Sequence, residues 1–83
     1  MALEEAEFFL KVFGERIAEL RKSKNLSYRK LAQRCNVDYS DISKIEKGQI
    51  KIQLPTILEL AKGLDVRPKD LFDFDFPIDA IKK

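Results

Sequence analysis

The sequence predicts an all-α domain of five helices followed by a short extended tail. In the first quarter of the chain, apolar residues recur at steps of three and four, as on one face of a helix, at Phe9, Phe13, Ile17 and Leu20. Four later positions carry residue types that begin helices, namely Ser27, Asp38, Pro55 and Pro68. The period then changes to two, because the apolar residues near the end alternate with polar residues or proline, at Phe72, Phe74, Phe76 and Ile78.

The first predicted helix spans residues 3–23. Acidic residues lie near its start and basic residues near its end, in agreement with the helix dipole. Gly14 lies inside this helix, where glycine costs up to about 1 kcal/mol relative to alanine. We therefore expect Gly14 to mark either a bend or a close contact with another helix.

Residues 27–48 are predicted to form two short helices joined by a tight turn. Ser27 caps the second predicted helix, which runs to about residue 35, and Asp38 caps the third, which ends by residue 47 at Gly48. Asp41, three residues after Asp38, is placed to complete an arrangement like a capping box. Asn36 lies at the turn, where a left-handed conformation is expected.

A fourth helix is predicted over residues 55–63 and a fifth over residues 68–72, each opened by a proline. The alternating tail cannot be stable as an isolated strand. It must therefore lie on its own domain or pair with another copy of the chain.

Composition indicates one soluble globular domain without a membrane helix or a signal peptide. The chain has 83 residues, of which 45% are hydrophobic and 36% charged, and its net charge is +2. The charge is unevenly distributed, because residues 16–51 hold ten basic and four acidic side chains, a net of +6. Such a basic central region is typical of a surface that faces phosphates, although a solvated charged face is the alternative.

No catalytic or metal-binding constellation is visible. There is no histidine and one cysteine, and the three glycines are isolated from one another. An internal disulfide is thus excluded and a zinc site is not expected. Cys35 is interpreted as a small buried apolar residue near a helix end, with a reactive thiol as the alternative. We expect no enzyme activity, no cofactor and no small-molecule substrate.

The central region resembles the helix-turn-helix of the Xre family, the Cro/C1 type of DNA-binding domain. The resemblance rests on Leu31, Ala32, Val37, Ile42, Ser43, Lys44, Ile45, Glu46 and Gly48. It extends to residues 15–21 upstream and to residues 60–62 and 70–72 downstream, and so covers roughly residues 13–72. The chain departs from the family pattern at Asn36, at Tyr28 and at the acidic pair of Asp38 and Asp41.

The resemblance implies a Cro/repressor-like bundle occupying residues 1–83 as a single domain. Residues 1–12 then form an N-terminal extension of the first helix, and residues 73–83 form the tail. The family's base-contacting positions correspond to Asp38, Tyr39, Ser40, Ser43 and Lys44. Its phosphate-contacting positions correspond to Ser27, Tyr28, Lys47, Gln49 and Lys51, to which we add Arg29.

Three of these side chains have more specific expected roles. Lys44 is the preferred donor to guanine, and Tyr39 contacts a thymine methyl group or a phosphate. Asp38 either caps its helix or accepts from a cytosine amino group. Asp41 would repel phosphate, so it should point away or pair with a basic side chain. The family pattern also implies an ion pair between Arg21 and Glu46 that braces the recognition helix.

The resemblance further implies a homodimer on a near-palindromic operator. The expected interface comprises Leu64, Val66, Pro68, Leu71 and Phe72. We extend it with Phe74 and Phe76 of the tail and with the patch formed by residues 8–10. The alternative is that the tail and the first helix pack together within one subunit.

The sequence therefore predicts a cytoplasmic, sequence-specific regulator of transcription that binds double-stranded DNA. Within the family, free-standing chains of this length are similar to phage-type repressors or to controller proteins of restriction–modification systems. The sequence does not distinguish a repressor from an activator. The rival interpretation is an antitoxin-like protein-interaction module that covers its partner with the Phe-rich ends and binds DNA secondarily.

Overall fold

A computed structural model describes residues 3–77, which form four α-helices and one 3₁₀ helix. The elements are α1 (Leu3–Ser23), α2 (Tyr28–Gln33), α3 (Tyr39–Glu46), α4 (Leu54–Leu64) and the 3₁₀ helix (Pro68–Phe72). The all-α class is confirmed, and this range contains no strand. The predicted fifth α-helix is wrong, because five residues opened by a proline close into the tighter turn, in which Asp70 N–H donates to Arg67 O at 2.9 Å.

The core lies where all the helices meet. Its completely buried side chains come from every element: Phe13, Ile17, Leu31, Ile42, Ile45, Leu60, Leu64 and Leu71. α3 packs on α1 and α2, α2 also packs on α4, and the 3₁₀ helix closes the core against α1 and α4. The amphipathic stripe recognised in the first helix is thus the face that holds the bundle together.

The helix ends are fixed by local hydrogen bonds. Ser27 caps α2, because its Oγ accepts from Lys30 N–H at 3.1 Å. Asp38 occupies the N-cap position of α3, but its side chain makes no capping hydrogen bond, so the expected capping box is absent. α3 ends at Glu46, and Gly48 two residues later has a φ of 71°, the left-handed conformation that glycine adopts at low cost.

The turn between α2 and α3 differs from the prediction. Within the described chain, the non-glycine residues with positive φ are Asn25 and Asp65, so Asn36 is not left-handed. Its backbone N–H instead donates to Glu59 Oε1 at 3.0 Å. This hydrogen bond, helped by Lys62, lowers the pKa of the Glu59 carboxyl. The turn is therefore held by α4 rather than by a special backbone conformation.

The tail packs on the first helix of its own chain. The ring of Phe9 lies 5.9 Å from that of Phe74 and 5.0 Å from that of Phe76, and Phe8 lies 5.2 Å from Phe76. Phe74 and Phe76 thus contact the N-terminal extension of their own subunit, as in the alternative interpretation, and each stays half-buried. Their place in a dimer interface stays a prediction. Ile78 and the remainder of the predicted tail lie outside the described residues.

Gly14 marks a close contact, not a bend. A Cβ atom built there would overlap the backbone carbonyl oxygens of Ile45 and Glu46, at the end of α3. The absence of a side chain at this position allows α1 to touch the last turn of α3 directly.

Substitution of Gly14→Ala should therefore lower stability, against the usual gain from replacing a helical glycine. We expect overpacking to cost about 1–3 kcal/mol, and the gain of up to about 1 kcal/mol in helix propensity offsets only part of this cost. Urea unfolding followed by circular dichroism measures this. Glu15→Ala, at an exposed neighbouring site, is the control and should change stability little. A stabilised Gly14→Ala variant would contradict the close contact.

Candidate nucleic-acid interface

The outer side of α3 presents the expected base-contacting side chains. Ile42 and Ile45 are buried and face the core, whereas Ser40 and Lys44, four residues apart, are exposed on the opposite side. Tyr39 is 49% exposed. Of the other two candidates, Asp38 is exposed and Ser43 is half-buried. None of the five is part of the core.

The expected phosphate-contacting side chains lie at the start of α2 and in the segment that follows α3. Those that the structure leaves exposed are Ser27, Arg29, Lys47, Gln49 and Lys51. Tyr28 is half-buried, because its ring lies on the guanidinium of Arg21, with 4.4 Å between the ring centroid and Cζ. Its principal contact is therefore internal.

A bidentate ion pair joins the end of α3 to α1. Arg21 Nε donates to Glu46 Oε2 at 2.6 Å, and Nη2 donates to Oε1 at 3.0 Å. Nη1 donates to the backbone oxygen of Leu26 at 2.8 Å. The two side chains are only 10% and 6% exposed. The hydrogen bond to Glu46 outweighs the cost of burial and raises the pKa of Arg21.

Two cation–π contacts went unrecognised in the sequence. Tyr28 covers Arg21, and Arg29 Cζ lies 4.9 Å from the ring centroid of Tyr39. Each contact joins α2 to a different helix. Neither has a local sequence signal, since the partners lie on separate elements.

The two acidic residues at the start of α3 border an open cleft. Asp38 and Asp41 line this cleft of about 420 Å³ together with Lys51 and residues of the loop before α4. Asp41 makes no ion pair among residues 3–77. Asp41 is half-buried, and its side chain lines the cleft instead of pairing with a basic side chain.

The expected dimer residues fall into two groups. Leu64 and Leu71 are completely buried in the core of their own subunit, so their side chains are not available to a partner. Val66 is half-buried, and Pro68 and Phe72 are exposed. Two leucines that the sequence interpretation left out are more accessible, namely Leu54 at 79% and Leu58 at 51%.

The described part of the chain shows no feature of a metal site, a membrane span or a reactive thiol. No group of three or more potential metal ligands occurs there. None of its helices combines the length and apolar character that a bilayer span requires. Cys35 is half-buried, its thiol donates to Leu31 O at 3.3 Å, and burial raises its pKa, which disfavours the reactive thiolate.

Residues 17–71 match the helix-turn-helix family HTH_3. The chain belongs to this family. This result confirms the resemblance to the Cro/C1 type of DNA-binding regulator.

Relatives of this HTH_3 chain include restriction–modification controller proteins. It is 42% identical over 64 residues to the control protein C.BamHI of Bacillus amyloliquefaciens. The aligned region covers 76% of this chain and 79% of that relative. The crystal structure of the controller protein C.AhdI from Aeromonas hydrophila superposes with a TM-score of 0.77 at 41% identity, over 80% of this chain and 96% of that one. The controller C.Esp1396I, solved as a tetramer with its natural 35-base-pair operator, gives a TM-score of 0.74 at 27% identity, over 80% and 87% of the two chains.

Removing Glu46 should strongly destabilise this HTH_3 domain. In a Glu46→Ala variant the Arg21 guanidinium stays buried without its counter-charge, and we expect a loss of about 3–5 kcal/mol. Chemical denaturation measures the change. The control is Glu19→Ala, which removes the exposed partner of Arg16 and should cost at most about 1 kcal/mol. Equal losses in the two variants would show that the Arg21–Glu46 pair does not brace the fold.

Proposed function

We propose that this protein is a sequence-specific transcriptional regulator that binds double-stranded DNA as a homodimer on a near-palindromic operator. The observation that carries the proposal is the orientation of α3. Its inner side is fixed by Ile42, Ile45 and the Arg21–Glu46 pair, and its outer side leaves Ser40 and Lys44 exposed. A helix presented in this way fits the major groove of B-DNA.

The side chains divide into base readers and phosphate contacts by position. On the outer side of α3, Lys44 supplies donors for guanine O6 and N7, and Ser40 reads a neighbouring base edge. Lys47, Gln49 and Lys51 follow α3 in the chain and are exposed, as suits phosphate contacts that fix the register of the domain. Ser27 retains its hydroxyl hydrogen for a phosphate, since the oxygen is used only as an acceptor.

The relatives favour a controller of a restriction–modification system over a phage-type repressor. Support comes from the 42% identity to C.BamHI and from the 41% identity and common fold with C.AhdI. The operator complex of C.Esp1396I is a tetramer, which is compatible with two dimers on one operator. A cytoplasmic location follows from this proposal, because the DNA ligand is there.

A second copy is the proposed occupant of an apolar groove beside α4. The groove of about 260 Å³ is lined by Phe9, Leu10, Phe13, Ile52, Leu54, Ile57 and Phe72. Leu54 and Phe72 are strongly exposed in the single chain, and so is Leu58 one turn further along α4. Contact between two copies here would remove apolar surface from water.

The packing of the Phe-rich ends on each other weakens the antitoxin alternative, which needed those ends for a different partner.

The test of DNA recognition is selection from a randomised duplex library. We expect an enriched near-palindromic sequence with half-sites about one helical turn apart and binding that weakens steeply as salt rises. Lys44→Ala should relax sequence preference, and Lys51→Ala should weaken binding to all sequences alike. Identical behaviour of the two variants would refute these roles. Failure of the wild type to enrich any sequence would refute the proposed function.

The dimer surface is tested by sedimentation equilibrium of a Leu54→Lys/Leu58→Lys variant. Placing one charge in the groove and a second beside it on α4 should weaken self-association at least about tenfold, because each exposed leucine would otherwise be buried at a gain of about 1.5–3 kcal/mol. Glu15→Lys changes the charge of an exposed site on α1 and is the control. Unchanged self-association of the double variant would place the interface elsewhere. Co-purification of a different stoichiometric protein would favour the antitoxin alternative.

A further inference from the structure

Arg29 and Tyr39 form a contact that spans the helix-turn-helix. Arg29 is the second residue of α2 and Tyr39 is the first residue of α3. The guanidinium carbon lies 4.9 Å from the ring centroid. Among residues 3–77, Arg29 makes no ion pair or side-chain hydrogen bond. The stack is therefore its one specific contact in that range.

From this contact we infer that Arg29 is a positioning residue that determines sequence preference through Tyr39. The inference rests on the proposed function and deepens it. Tyr39 is half exposed at the leading end of α3, where a side chain with two rotatable bonds sweeps a wide area unless it is held. The guanidinium lies over one face of the ring and fixes it on the flank that faces α2. The other face, the edge and the hydroxyl of Tyr39 stay available to a base.

Stacking leaves the hydrogen-bonding capacity of Arg29 intact. A guanidinium has five N–H donors, and those of Arg29 are not used in any hydrogen bond among residues 3–77. Arg29 can thus hold Tyr39 while its edge donates to a phosphate or to a guanine. Lysine carries the same charge but lacks the planar guanidinium, so it supports a phosphate contact and holds the ring less firmly and in a less fixed orientation.

The difference between arginine and lysine distinguishes a positioning role of Arg29 from simple neutralisation of phosphate charge. If Arg29 acts only on phosphate, Arg29→Lys should bind every duplex as the wild type does. If it positions Tyr39, Arg29→Lys should keep its affinity for unrelated duplexes and lose discrimination between the selected duplex and single-base variants of it. We expect that loss to be about two- to fivefold, the range to which an exposed cation–π contact corresponds.

The experiment is a double-mutant cycle on sequence discrimination. The probe is the duplex enriched from the randomised library together with its single-base variants, titrated with wild type, Arg29→Lys, Tyr39→Leu and the double variant. Tyr39→Leu should relax preference, and adding Arg29→Lys should then have no further effect. Tyr39→Phe keeps the ring face and should keep the effect of Arg29→Lys. Lys30→Gln, which removes an exposed neighbouring charge, should weaken binding to all duplexes alike.

A measurement without DNA checks the stack itself. The side-chain protons of Arg29 should be shifted upfield by the ring current of Tyr39 in NMR spectra of the free protein, and Tyr39→Leu should abolish the shift. Thermal unfolding of the variants should stay close to that of the wild type, since both side chains are on the surface. The inference would be overturned if the two substitutions reduced discrimination independently, so that their fold-losses multiplied in the double variant. It would also be overturned if Arg29→Lys discriminated between duplexes as well as the wild type does. Neither outcome would contradict DNA binding. An absence of any enriched duplex would overturn the proposed function instead.

Discussion

The position of α3 depends on the buried ion pair between Arg21 and Glu46. A helix of eight residues is too short to be stable alone, so tertiary contacts must fix both its existence and its direction. Glu46 is its last residue, and the pair holds that end on α1 beside the contact at Gly14. Tyr28 lies over the guanidinium and half shields the pair from water, which strengthens the electrostatic attraction. The last turn of α3 is thus fixed on α1, whereas its first residue, Tyr39, is exposed.

The front of α3 is held by a different interaction. The Arg29–Tyr39 stack lies on the surface and joins the first turn of α3 to α2. Because Tyr28 and Arg29 are consecutive in α2, this one short helix touches Arg21 through one residue and Tyr39 through the next. A buried pair resists salt, whereas a surface contact is weaker and adapts to a ligand. In the proposed function, the ion pair would keep the last turn of α3 rigid, and the weaker stack would orient its first turn toward DNA.

Periodicity and helix-start signals predicted most of the fold, and three-dimensional contacts account for the errors. The bounds of α1 and the cap at Ser27 follow from local sequence, because hydrophobic spacing and capping act within a few residues. Asn36 was misjudged since its backbone N–H is satisfied by Glu59, a residue 23 positions away. Sequence placed the interface at Leu64 and Leu71, but apolar character alone does not tell whether a side chain faces its own core or a partner.

Whether an apolar side chain faces its own core or a partner also decides how two copies would be spaced on DNA. The Phe-rich ends pack on each other, and the most exposed large apolar side chains among residues 3–77 lie on α4, at Leu54 and Leu58. α4 is tied to α2 at Gly63, where an added Cβ would lie 2.8 Å from Leu31 Cδ1 and where the backbone oxygen accepts from Arg34 Nε at 2.7 Å. α2 in turn packs on α3. A dimer formed through α4 would therefore transmit its geometry through close contacts to both recognition helices, and the half-site spacing would be set by this packing rather than by a flexible linker.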